Sequence, residues 1–161
     1  MLNKVQWRFL RLRPANFPTI RIAQLASILF HGRNFFSSIL ETHSSKDLYN
    51  FFSVQLSEYW MHHYQFGNEY KTQKNSLGRA SIDNIIINTI APVLVAYGKS
   101  KDDQVLVDRA VCILQDIPAE SNRISRQWKM LGMEVKTGFD SQAMVELFNN
   151  FCLKRRCLDC N

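Results

Sequence analysis

The feature that most constrains this fold is an apolar stretch in the middle of the chain, Ile82–Tyr97. A helix formed there would carry apolar side chains on nearly every side, so the sequence predicts a helix at the centre of a core. Ser81 is predicted to cap the start of this helix, Pro92 to kink it and Gly98 to end it.

The other elements are predicted from apolar residues at helical spacing and from the residues that begin and end helices. One helix is predicted to begin at Pro18, with apolar residues at 22, 25, 26, 29 and 30, and to stop at Gly32. Further helices are predicted over 35–41, 46–66, 103–116, 120–131 and 140–152, the last with Asp140 or Ser141 as its N-cap.

Composition agrees with an all-α class. Only 6 of the 161 residues are glycine and 4 are proline, which argues against a β-rich fold with many tight turns. With 46% apolar residues, the chain can bury a core of its own. The sequence predicts an irregular bundle of six or seven helices in one domain, with a basic, proline-containing segment at 1–18, a helical core at 19–152 and a cysteine-containing tail at 153–161.

Positive charge is concentrated in the first quarter of the chain. The net charge is +6, and residues 1–40 contain no acidic residue but six basic ones, namely Lys4, Arg8, Arg11, Arg13, Arg21 and Arg33. A field of this kind attracts phosphate, carboxylate or an acidic partner surface. The alternative is that these side chains pair with acidic residues elsewhere in the fold.

The arginines around the first prolines are the candidate anion-binding residues, namely Arg8, Arg11, Arg13 and Arg21. They flank a proline-rigid loop that leads into a helix N-terminus, where exposed N–H groups add positive potential, and a nucleic-acid phosphate is the anion that we expect. Trp7, Phe9 and Phe17 lie among these charges and either stack on bases or anchor the segment to the core. No helix-turn-helix, zinc-finger or single-strand-binding signature accompanies them.

Three cysteines near the end of the chain, Cys152, Cys157 and Cys160, are candidate metal ligands. Their C-x4-C-x2-C spacing allows them to converge on zinc or an iron–sulfur cluster, although a fourth ligand is not identified. Neighbouring basic residues would favour the thiolate form. The alternative is an unmodified tail, and a redox-active CxxC pair finds no βαβ context in this sequence. Cys112 is expected to be a core thiol.

A histidine-rich stretch within the predicted helix 46–66 is a weaker source of ligands. Glu58 and His62 share a helix face, and His63 is a further candidate, but the pattern is not H-E-x-x-H. Aromatic packing is the favoured interpretation. No catalytic residue is identified by spacing, and whether the protein is an enzyme stays open.

No segment is predicted to cross a membrane, because the longest apolar run, 85–97, is too short and contains polar residues. The N-terminal apolar stretch lacks a small-residue cleavage site, so a cytoplasmic location is expected. There the four cysteines would be reduced, metal-bound or redox-active rather than joined in structural disulfides.

Four stretches resemble a bacterial family, domain of unknown function 2851. They are RLRPANFPTIRIAQLA at 11–26, YWMHHYQF at 59–66, LGRASIDNIIINTIAPVLVAYG at 77–98, and the segment 139–160. Members of that family are longer, and this chain resembles their C-terminal part. The resemblance therefore implies a separately encoded domain, or a part of a longer protein that has an N-terminal partner.

Three hypotheses about function follow. The leading one is a helical accessory domain that binds nucleic acid through its arginine-rich N-terminal segment. The second is a structural or interaction domain in which those arginines pack against the N-terminal domain of the same family protein. The third is a metal-dependent enzyme that uses the terminal cysteines and His62 or His63.

Overall fold

The structure of the protein, a computed structural model, describes residues 9, 11–32, 34–71 and 76–160. Most of these residues are helical, which confirms the all-α class. The helices are α1 (Pro18–His31), α2 (Phe35–Glu41), α3 (Ser45–Phe52), α4 (Glu58–His62), α5 (Arg79–Ile85), α6 (Ala91–Lys101), α7 (Gln104–Asp116), α8 (Arg123–Met130) and α9 (Gly138–Leu147). Short 3-10 helices occupy Pro14–Asn16 and Cys157–Asp159, and π-helical turns occupy Ile86–Ile90 and Phe148–Cys152.

The described residues form two compact units. The first comprises those up to residue 41 together with 46–79, and the second comprises 42–45 together with 80–160. In the first unit, α1 packs against a small antiparallel hairpin, β1 (His63–Gln65) and β2 (Asn68–Glu69). The Thr19 hydroxyl donates a hydrogen bond to the carbonyl oxygen of Tyr64, which joins the start of α1 to β1.

The predicted helix over 46–66 is wrong, because two short helices, a non-helical segment and a strand occupy these residues. Helix α3 ends at Phe52, residues 53–57 have no helical structure, and α4 then leads into β1. Val54 and Leu56 are buried while their neighbours Ser53, Gln55 and Ser57 are exposed, so the segment buries every second side chain. An alternation of period two is the pattern of extended backbone.

The second unit is built around the apolar helix that the sequence predicts. Its buried side chains include Ile86, Ile90 and Leu94, which are nearly inaccessible to solvent. The helix starts at Arg79, so Ser81 lies inside its first turn and is not its N-cap. A π-helical turn precedes Pro92, and the N–H of Ala91 donates to the carbonyl of Ile86 there.

Gly98 does not end the central helix, which continues to Lys101 and is followed by Asp102 in the left-handed conformation at φ 54°. Gly98 is instead buried where α6 crosses α7. A Cβ atom at this position would lie 2.9 Å from the carbonyl oxygen of Asp103 and 3.1 Å from Cβ of Leu106. The glycine therefore allows the two helices to approach closely.

The continuous helix from Arg79 to Lys101 has 23 residues, and its most apolar window has a mean hydropathy of 1.4. By length and composition it is the one helix in the described part of the chain that is long and apolar enough to cross a membrane. A third of that window, 33%, is buried within the structure. The core helix of a soluble protein passes the same test of length and composition. The predicted lack of a membrane segment stays a prediction.

Helices α8 and α9 pack on each other, and α9 also packs on α7. The predicted N-caps of α9, Asp140 or Ser141, are wrong because the helix begins earlier, at Gly138. Thr137 is the N-cap, its hydroxyl accepts from the N–H of Asp140, and the Asp140 carboxylate accepts from the N–H of Thr137. Asp140 is thus the partner in a capping box rather than the cap itself.

Candidate interaction surface

Helix α1 presents apolar side chains to solvent as well as to the core. Its core side buries Thr19, Ile20, Ala23, Gln24 and Ile28. The opposite side exposes Ile22 by 52%, Leu25 by 54%, Leu29 by 52% and Phe30 by 75% of their surfaces. Because residues three and four apart share a helix side, these four and the exposed Ala26 form one stripe, called the α1 stripe below.

The α1 stripe lacks the charged residues that a solvated helix face normally carries. Among the 14 residues of α1, Arg21 is the single Lys, Arg, Asp or Glu side chain. A helical wheel places Arg21 next to Leu25, at one edge of the stripe. Helix α1 is therefore apolar both on the side that faces the core and on the opposite side. Within the described residues, the core side is the one that other parts of the protein cover.

The predicted anion-binding arginines are placed near the start of α1, except Arg8, which lies outside the described residues. Arg11 and Arg13 are exposed, and within the described part of the chain neither side chain makes an ion pair or a hydrogen bond. Arg11 has φ 63°, in the left-handed region. Arg21 donates from Nη2 to Oδ1 of Asn16 at 2.7 Å and from Nη1 to Oε1 of Gln24 at 3.0 Å.

The aromatic residues among these arginines are packed against their neighbours. The ring of Phe17 meets the ring of Phe9 edge-on at 4.9 Å between centroids and that of Tyr64 at 6.3 Å. Of the two roles that the sequence left open, anchoring fits these contacts better than base stacking. Trp7 lies outside the described residues.

An open cleft of about 590 Å³ runs along the other edge of the α1 stripe, and it is called the α1 cleft below. Its lining residues are Ala23, Ala26, Ser27, Phe30 and His31 of α1 together with Gln55, Leu56, Ser57 and Trp60. The Ser27 hydroxyl donates to the carbonyl oxygen of Gln55 at 2.8 Å, and Nδ1 of His31 pairs with the carbonyl oxygen of Ser27 at 2.8 Å. These two polar groups are thus already engaged within the protein.

The histidine-rich stretch is arranged by aromatic packing, as the sequence interpretation favours. The His63 ring stacks on Tyr59 at 3.9 Å between centroids, and its Nδ1 pairs with the carbonyl oxygen of Tyr59 at 2.8 Å. Trp60 contacts Tyr59 at 5.1 Å and Phe66 at 5.2 Å, both edge-on. His62 and His63 lie at the junction of α4 and β1, and not within a continuous helix.

The three terminal cysteines are all exposed. Cys152 ends the second π-helical turn, Cys157 begins the last 3-10 helix, and Cys160 follows it. Among the described residues no three His, Cys, Asp or Glu side chains are grouped so that they could hold a metal ion. The prediction of zinc or an iron–sulfur cluster therefore rests on the sequence spacing. Cys112 is exposed on α7, so its expected place in the core is wrong.

The second unit contains a smaller open cleft of about 340 Å³. Asn88 lines it together with Glu120, Asn122, Arg123 and Gln142. Asn122 caps α8 and accepts from the N–H of Ser125, and Asn88 donates to the carbonyl oxygen of Asn84. Several of its polar groups therefore have structural partners, and the cleft has no convergent set of chemical groups.

The α1 stripe was not identified from the sequence, although a signal for it is present. Helix α1 carries apolar residues on all its sides and has almost no charged residues. The apolar positions are 20, 22, 23, 25, 26, 28, 29 and 30. A short helix with that pattern is covered on all sides or has a partner.

The fold and this surface define a mostly helical domain with an exposed apolar helix face and a basic segment beside it. The sequence model of a family described as "Protein of unknown function (DUF2851)" matches residues 1–123. The chain belongs to that family, as the sequence resemblance indicates. The match includes the basic segment, the α1 stripe and the α1 cleft, and it ends before α9 and the three terminal cysteines. No curated protein and no solved structure matches the chain.

Proposed function

We propose that this chain is a helical interaction domain that binds a protein surface through the α1 stripe. The observation that supports this proposal is the exposure of four large apolar side chains on one side of α1. Contiguous exposed apolar surface of this kind is typical of sites where proteins associate.

The exposed area is large enough to matter for binding. Burying a Leu, Ile or Phe side chain completely is worth about 1.5–3 kcal/mol, so covering the exposed fractions of Ile22, Leu25, Leu29 and Phe30 would contribute about 3.5–7 kcal/mol. The partner buries apolar surface as well, so the gross gain is about twice as large, about 7–14 kcal/mol. An association cost of about 4 kcal/mol or more reduces that gain, and micromolar affinity, about −8 kcal/mol, lies within the resulting range.

Charge indicates what kind of surface would cover the stripe. The first 40 residues contain six basic and no acidic residues, so a partner with carboxylates around an apolar patch complements them. A second copy fits less well, because a two-fold interface would bring two basic segments onto the same surface. The partner we propose is the N-terminal part of a longer family member, whose existence the sequence resemblance implies.

The test is a titration of this chain with the separately expressed N-terminal part of a longer family member, followed by calorimetry. We expect micromolar binding that weakens with salt. Leu25→Glu should weaken it at least tenfold, since the substitution removes apolar contact and adds a charge of the partner's sign. Because Leu25 is half exposed, the free chain should stay folded.

Val105→Glu is the matched control, because Val105 is an aliphatic residue on α7 in the other unit with 67% of its surface exposed. It should leave the affinity unchanged. If the N-terminal part does not bind, or if the two variants weaken binding equally, the proposal is wrong.

Nucleic-acid binding is the second candidate function. Arg11 and Arg13 favour it, because both are exposed and neither has a side-chain partner among the described residues. Replacing Arg11, Arg13 and Arg21 by Ala should then weaken binding to a DNA or RNA duplex and flatten its dependence on salt. If the triple variant and the wild type bind with equal affinity, the proposal of nucleic-acid binding through these arginines is wrong.

A further inference from the structure

We infer that the α1 cleft receives one large apolar side chain, aromatic or leucine, from the protein that covers the α1 stripe. This inference rests on the proposed function and adds to it the residue type that anchors the partner. Anchors of this kind carry most of the binding energy in many interfaces.

The shape of the cleft is the first argument. Ala23, Ala26 and Ser27 lie at helical spacing on α1, and their small side chains leave room between that helix and the segment 55–60. Phe30 stands at one side and Trp60 is contributed by α4. The cleft is open to solvent, and its volume of about 590 Å³ leaves ample room for one such side chain.

The chemistry of the lining is the second argument. The Ser27 hydroxyl and Nδ1 of His31 are paired with backbone carbonyls at 2.8 Å. The lining is mainly apolar, with carbon surface from Ala23, Ala26 and Phe30 and the ring of Trp60, while the side chains of Gln55 and Ser57 add polar groups. A large apolar side chain fits the greater part of this lining, because burying a polar group against carbon surface is costly.

The third argument is that one wall is held in place before a ligand arrives. Trp60 is partly buried and packs edge-on against Tyr59 and Phe66. Phe30, with 75% of its surface exposed, has an edge-on contact with His31 at 5.5 Å. A site organised in advance loses little conformational entropy on binding.

The occupant follows from where the cleft lies. The cleft borders one edge of the α1 stripe, and Arg21 borders the other. A partner that covers the stripe would place an apolar anchor in the cleft and carboxylates toward Arg21, Arg11 and Arg13, which matches the basic charge of this part of the chain. We therefore assign the occupant to an acidic protein surface, and not to a free small molecule.

The first experiment uses the side-chain analogue of tyrosine, p-cresol, and the analogue of asparagine, acetamide, as probes. Addition of p-cresol should shift the NMR signals of the Ala23 and Ala26 methyl groups and the Trp60 indole N–H, with saturation in the millimolar range. Acetamide should shift none of them. A lack of saturable shifts with p-cresol would overturn the assignment.

The second experiment blocks the cleft in the intact chain. Ala26→Phe should weaken both p-cresol binding and binding of the N-terminal part at least tenfold, because the new ring fills the space. Ala143→Phe, at an exposed alanine of α9 in the other unit, should change neither. Should Leu25→Glu abolish partner binding while Ala26→Phe does not, the stripe binds the partner but the cleft is not its anchor.

Discussion

Gly98→Ala offers a direct test of the packing between α6 and α7. Glycine inside a helix costs about 1 kcal/mol relative to alanine, so local propensity alone predicts that the substitution stabilises the protein. The structure predicts the opposite. The added Cβ would lie 2.9 Å from the carbonyl oxygen of Asp103, 3.0 Å from Cγ2 of Val107 and 3.1 Å from Cβ of Leu106.

The magnitude follows from which of these atoms can move. The carbonyl oxygen and the Cβ atom belong to the backbone framework of the next helix, so relief requires the helices to separate. Overpacking costs about 1–3 kcal/mol, and because the nearest atom is a backbone oxygen we expect the upper part of that range, about 2–3 kcal/mol. Subtracting the gain in propensity of about 1 kcal/mol leaves a net loss of about 1–2 kcal/mol. For a chain of this size that corresponds to a fall in Tm of about 2–8 °C.

Urea and thermal denaturation followed by circular dichroism would measure this loss. Gly78→Ala is the matched control, because a Cβ atom at Gly78 has no atom within 4 Å and the residue has no positive φ. It should stabilise the protein by about 0.4–1 kcal/mol through the unfolded state. If Gly98→Ala is as stable as the wild type or more stable, the inference that α6 and α7 pack too closely for a side chain at position 98 is wrong.

Two further predictions concern the capping box of α9 and the cysteine tail. Hydrogen bonds from the N–H groups of Thr137 and Lys136 hold the pKa of Asp140 below its ordinary value of 3.8. The Asp140 carboxylate therefore stabilises the fold at pH values above 3.8. This contribution is lost as the pH falls through the lower pKa of the folded state. Asp140→Asn should therefore lower the free energy of unfolding at pH 7 and lose that effect in strong acid, which denaturation at both pH values would check. If the tail binds metal, protein purified anaerobically should contain stoichiometric zinc or a visible iron chromophore that Cys157→Ser and Cys160→Ser remove, and metal-free folded protein would contradict it.

Local signals account for the parts of the fold that were predicted correctly. Helix α1 begins at Pro18 and ends before Gly32, and α2 spans Phe35–Glu41, as the sequence predicts. These boundaries depend on the chemistry of a few neighbouring residues, since proline cannot donate a backbone hydrogen bond and glycine interrupts helices readily. The central apolar helix is predictable for the same reason, because its composition leaves it no polar face.

The errors occur where one pattern fits two structures. Aromatic and apolar residues between Lys46 and Phe66 fit a helix, yet the alternation of Val54 and Leu56 with polar neighbours fits the extended segment that the structure contains. Glycine is typical of helix ends, which is why the sequence predicts that Gly98 ends the central helix. In the structure Gly98 lies inside the helix, where the absence of a side chain allows α7 to approach closely. The extended segment is held to a distant part of the chain, since the Ser27 hydroxyl donates to the carbonyl oxygen of Gln55, whereas Gly98 packs against the helix that directly follows it.

By itself, the sequence determined that the chain is mostly helical, where its basic charge lies, and which family it belongs to, because composition, charge and motifs are properties of the residues alone. Tertiary structure alone decided which side of α1 is buried. Helix α1 carries apolar residues on all sides, so periodicity cannot choose between them. The burial of Ile20, Ala23 and Ile28 in the core leaves Ile22, Leu25 and Leu29 exposed to solvent.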